Sequence, residues 1–149
     1  MSAFVTAGAG FLLCVLWFDL MFDVQVRGHD ERELPEGTLA SIAGYYGRVT
    51  TSARPMNRLI ATVMLATLAG IVVEIAEGDS PRWVAWVSLA LAAAPILLAG
   101  ARTVPSAVRL GARRDPLDRQ SALARSIFRQ HLVCIAAIAA LLVVQLSQA

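Results

Sequence analysis

The sequence predicts an all-α, polytopic membrane protein, a four-transmembrane-helix antiparallel bundle forming one integral membrane domain over residues 1–149. Three observations predict it. The apolar residues, 57% of the chain, lie in long blocks rather than at the spacing of an amphipathic domain, and mean hydropathy is +0.62. Each block approaches the ~20 residues of a bilayer-spanning helix and lacks the ~10-residue polar–apolar alternation of a barrel strand. All thirteen basic residues are arginine, and only Arg82 falls outside one side of the block pattern.

The first span covers about 3–26. It has no basic residue ahead of its apolar run, and Asp19 and Asp23 stand where a signal peptidase would want small residues, so it is expected to stay as a helix. Arg27-Gly28 ends it, with glycine as a left-handed cap. In the cytoplasmic loop 27–54, Leu39, Ile42, Tyr46 and Val49 recur at three- and four-residue steps. That is the pattern of a short interfacial helix, weakened by Gly44 and Gly47. Pro55 opens the second span, about 55–77, since proline is tolerated in a first turn. Asp79-Ser80-Pro81 caps and starts the third, about 81–101, which Pro95 should kink. The cytoplasmic loop 102–115 follows. Within it Pro105–Arg114 reads as an extension of the third helix or as a short separate one. Asp115-Pro116-Leu117-Asp118 starts the fourth helix, about 116–147, below the membrane.

Orientation follows from the arginines. Five lie between the first two spans and seven around the start of the fourth (Arg102, Arg109, Arg113, Arg114, Arg119, Arg125, Arg129). Basic residues in short loops stay cytoplasmic, which predicts an N-out/C-out protein of the cell membrane. Trp83 and Trp86 then lie at the outer interface. The expected partners are the lipid bilayer, its anionic headgroups at Arg125 and Arg129, and a second copy or a membrane-complex subunit. Small residues such as Gly8, Gly10, Ala66 and Gly70 let helices approach closely, within one bundle or between copies. No basic–aromatic stretch points to nucleic acid. Cys14 and Cys134 are mid-span and not a disulfide framework.

The site candidates come from depth. At 1.5 Å per residue, Asp19 lies about one turn above the cytoplasmic boundary, and His131, on the antiparallel fourth helix, lies about 6 Å above the same boundary. Ionisable residues in a span face the bundle interior and find partners, so Asp19 is expected to pair with His131. Asn57 and Arg58 are at the same level. Asp23 shares the face of Asp19 but lies nearer water, so it should matter less. Glu74 and Gln145 meet at the outer boundary, leaving a drier middle. Asp19, Asp23 and His131 are also chemically suited to a single transition metal. No haem, nucleotide or iron–sulfur signature is present.

No motif names a reaction. The leading expectation is a cytoplasm-facing intramembrane polar pocket that binds or passes a small ligand or ion. The alternatives are an accessory subunit of a membrane complex, with the Asp19 pair structural, and a membrane enzyme acting on a lipid-soluble substrate through the carboxylate–histidine group. The absence of a catalytic motif favours the readings without catalysis.

Overall fold

In a computed structural model, which describes residues 2–29, 31–78 and 80–148, 87% of the described residues are helical. Six α-helices follow in order: α1 (Ser2–Asp23), α2 (Glu36–Gly47), α3 (Arg54–Glu77), α4 (Arg82–Leu98), α5 (Val104–Ala112) and α6 (Leu117–Leu146). A 3₁₀ turn, Val24–Val26, extends α1. Wide π-type turns join α2 to α3 (Arg48–Ser52) and α4 to α5 (Ala99–Thr103). Four helical stretches are long and apolar enough to cross a membrane: Ala3–Val26, Pro55–Glu77, Arg82–Ala112 and Leu117–Leu146. The chain is a multi-pass membrane protein. α1 packs on α3 and α6, and α4 packs on the same two, so the spans form a ring.

Local chemistry sets the ends. Gly28 (φ 83°) and Gly78 (φ 70°) take left-handed conformations after α1 and α3, which glycine adopts without a Cβ penalty. Asp79, expected as a cap, lies outside the described residues; α4 begins after Pro81. The third span does not end near residue 101. It turns through Ala99–Thr103 and continues as α5 to Ala112, because Pro105 falls in the first turn of α5, where its missing N–H costs nothing. Most of the expected loop 102–115 is therefore helix. Arg113 (φ 52°) ends it, and α6 starts four residues later.

Two apolar cores stack along the bundle axis. The first lies within the spans, around Val5, Leu12, Ile71, Ala92, Ile138 and Leu141. Its closest packing is between α1 and α3: a Cβ on Gly8 would strike the Thr67 side chain, and one on Gly70 would meet Val5 at 3.1 Å. The second core lies at the arginine-rich end, where Leu39, Ile42 and Tyr46 of α2 pack with Leu110 of α5 and Ile127 of α6. This corrects the reading of α2 as an interfacial helix. Its apolar face is buried against protein, because α5 and the first turns of α6 extend far enough to cover it. The approach is close: a Cβ on Gly111 would lie 2.7 Å from the Gly47 backbone nitrogen, so Gly47 marks a helix contact rather than a break, while Gly44 faces open space. Outside the ring, Leu65, Leu97 and Val143 remain about two-thirds exposed, the surface lipid would cover.

Candidate functional site

The site is assembled by three elements at the arginine-rich end of the bundle. α1 contributes Asp19 and Asp23, one turn apart on one face. α6 contributes His131. α2, folded back beneath the spans by its apolar face, contributes Tyr45 and Tyr46.

The five side chains form one network. His131 Nδ1 is 2.6 Å from Asp23 Oδ2, and the Tyr46 hydroxyl donates to Asp23 Oδ1 at 2.6 Å. On the other side of the ring, the Tyr45 hydroxyl donates to Asp19 Oδ1 at 2.7 Å, and Asp19 Oδ2 stands 3.8 Å from His131 Nε2. Each carboxylate thus has its own tyrosine, and the imidazole lies between the two acids. Phe22 stacks on Tyr45, ring centroids 4.1 Å apart at 9°, fixing that phenol under Asp19. Burial and then the adjacent carboxylates push both tyrosine hydroxyls well above the ordinary phenol range, so both remain donors at any physiological pH.

This geometry reverses the expected ranking of the acids. Asp23 is fully buried and Asp19 is 9% exposed; the short contact of His131 is to Asp23, and Asp19 is the more distant partner. Depth along α1 suggested that Asp23 would face water, but α2 closes the bundle beneath it. Arg58 and Asn57 are exposed. Asn57 donates to the Thr50 carbonyl at 3.3 Å and reaches the edge of the cavity; Arg58 joins neither the network nor the cavity. Arg125 does not present a free guanidinium for a headgroup. It donates to the carbonyls of His29, Glu31 and Arg32 at 2.6–3.0 Å and ties down the α1–α2 loop. Arg129 is exposed, beside Arg119 in a shallow surface depression.

The metal expectation meets the same network. Both Asp23 oxygens and His131 Nδ1 are engaged with one another or with Tyr46. Among the described residues no group of three His, Cys, Asp or Glu side chains is arranged to hold a metal ion. Cys134 is buried, its sulfur 3.9 Å from the Pro95 carbonyl, while Cys14 is exposed on the far face of α1; both are free thiols.

Above the network a cavity of ≈ 120 Å³ opens between α3 and the α4–α5 junction. Its walls are apolar, with Leu16, Ile60, Met64, Ile96 and Ala107 among them, and Asp19, Tyr46 and His131 stand at one end. Asp19 Oδ2 and His131 Nε2 make no hydrogen bond among the described residues. Glu74 and Gln145 also meet, joined by Ser88: Gln145 Nε2 donates to Ser88 Oγ at 3.0 Å and to Glu74 Oε2 at 3.4 Å. The core around Ile71, Ala92 and Ile138 separates this second polar layer from the first.

The tyrosines were legible only as the dipeptide in YYGRVTTSARPMN, at the entry to the second span. Tyr46 belongs to the three- and four-residue apolar pattern; Tyr45 does not, and its partner could not be read without knowing that α2 folds back. Comparison of the chain with protein-family models, curated proteins and solved structures gave no match, so its chemistry has to be drawn from the side chains themselves.

Proposed function

We propose that this multi-pass protein binds a small, largely apolar molecule in a cytoplasm-facing pocket within the bundle and holds it by one polar group between Asp19 and His131. One observation carries this reading: largely apolar walls converge on two polar atoms of buried residues, Asp19 Oδ2 and His131 Nε2, that accept or donate no hydrogen bond among the described residues. Ligand sites have this character, an apolar cleft with a few placed polar groups. The volume suits a single ring, since an engineered apolar cavity of about 150 Å³ holds benzene. The twelve-to-one division of arginines supports the cytoplasmic assignment. Passage of an ion across the bundle is disfavoured by the apolar core between the two polar layers. A second reading, an enzyme acting on a lipid-soluble substrate, draws on one detail. Asp23 orients the imidazole through Nδ1, as a carboxylate orients a histidine base.

The test uses single-ring probes with one polar group, 4-fluorobenzyl alcohol and 4-fluorobenzylamine, titrated into the protein in nanodiscs and followed by ¹⁹F NMR. Saturable binding of at least one probe is expected in the wild type, lost in Ala107→Trp and Met64→Trp, which fill the cavity. Linear partition into lipid, equal for all three proteins, would overturn the reading.

A further inference from the structure

The charge and hydrogen-bond balance of the network narrows the class of ligand. Two carboxylates face one imidazole. If both acids are ionised, at least one negative charge lacks a basic partner even when His131 is charged, and among the described residues no arginine side chain reaches the network. Burying such a charge inside a membrane is costly, and intramembrane acids commonly serve as counter-ions to a ligand. The phenols of Tyr45 and Tyr46 satisfy one oxygen of each acid, an arrangement that suits carboxylates because an ionised acid only accepts.

The tautomer of His131 points the same way. Asp23, accepting from Tyr46 and holding Nδ1 at 2.6 Å, keeps the ring proton on Nδ1. In the neutral ring, Nε2 is then an acceptor. His131 is 6% exposed, and Nε2 stands across a 3.8 Å gap from Asp19 Oδ2. With both acids ionised and the ring neutral, the end of the cavity offers two acceptors and an excess of negative charge.

We propose that the ligand is a lipophilic amine, bound as its ammonium ion with N–H groups directed at Asp19 Oδ2 and His131 Nε2 and its apolar body in the cavity. This rests on the pocket reading above and names the ligand class. Asp23 acts as a positioning residue: it does not reach the ligand but sets which nitrogen of His131 accepts. A proton on Nε2 competes with the ligand, since it removes the acceptor and adds a positive charge. The titratable groups around Nε2 are Asp19 and Asp23 from α1, Tyr45 and Tyr46 from α2, and Cys134 from α6. The cavity walls from α3, α4 and α5 are uncharged.

The experiment compares 4-fluorobenzylamine with 4-fluorobenzyl alcohol, which match in size and differ in charge, in the same nanodisc titration. On the wild type near neutral pH the amine is expected to bind at least about tenfold more tightly, a difference of ~1.4 kcal/mol. Asp19→Asn removes the counter-ion. Asp23→Asn turns the residue into a donor toward Nδ1, which moves the ring proton to Nε2. Each variant should lose the preference for the amine. Should either variant fail to fold, the wild-type preference for amine over alcohol decides alone. Alcohol bound as tightly as amine would overturn the amine assignment and leave the pocket standing. Saturable binding of neither probe would overturn the pocket itself.

Discussion

Each end of the bundle holds a buried polar layer, and the two differ in how completely they are satisfied. At the arginine-rich end, Asp19, Asp23, His131, Tyr45 and Tyr46 form a chain in which each acid has a short phenol contact, and an open cavity adjoins it. At the other end, Glu74, Ser88 and Gln145 are as deeply buried, with 0–3% exposure. There the Glu74 contact is a long 3.4 Å, its Oε1 has no partner, and the cavity does not reach it. Burial of an acid is thus not what distinguishes a site. A site emerges where the acids are held firmly by other groups and still present a free acceptor to a space.

The sharpest way to break this comparison is to show that the two ends do not face opposite compartments. With native cysteines replaced, single cysteines at 31 and 113 should label only after permeabilisation, and ones at 77 and 148 from outside. This all-or-none contrast rests on the arginine division; outside labelling of 113 would reverse the orientation.

The next largest difference is energetic. Asp23→Ala takes the short acceptor from the Tyr46 hydroxyl and His131 Nδ1 and leaves them only their long 3.4 Å contact with each other, and a buried group left unsatisfied costs about 1–3 kcal/mol. Thermal unfolding in detergent should show that loss, with a smaller one for Asp19→Ala, whose Tyr45 is half-buried and can reach water. Asp23→Ala and His131→Ala should be non-additive in a double-mutant cycle. A larger loss for Asp19→Ala would return the network to the simple pairing that depth alone suggests.

The smallest expected effect is at the other end. Glu74→Gln keeps the shape and the acceptor while removing a charge that has only one weak contact, so stability should change by no more than about 0.5 kcal/mol. A loss equal to that of Asp23→Ala would mean the two layers are held alike, and the comparison fails.

Hydropathy and arginine spacing made the spans legible, because lipid demands long apolar runs and tolerates few exceptions. Depth counting placed Asp19 and His131 at one level, and Glu74 with Gln145, because a helix advances by a fixed rise. Both groupings are present in the fold. What could not be read was the role of α2. Its pattern of Leu39, Ile42 and Tyr46 fits a helix on lipid as well as a helix on protein, and only the length of α5 and α6 below the spans decides between them. The rank of Asp23, the two tyrosines and the occupation of Arg125 by loop carbonyls all depend on that one packing choice.

The contact between Gly47 and Gly111 has a mechanical meaning. It joins α2 to α5 at backbone distance, linking the helix bearing the tyrosines directly to the helix that lines the cavity wall at Ala107. This pair is attached to the spans through two wide turns, Arg48–Ser52 and Ala99–Thr103, and both turns border the cavity. Wide turns of this kind are common at functional sites and yield more readily than regular helix. A swing of the α2–α5 pair about them would draw the phenols away from Asp19 and Asp23 as it moved the cavity wall at Ala107. Any such swing would alter access to the cavity and the hydrogen bonding of its acids together.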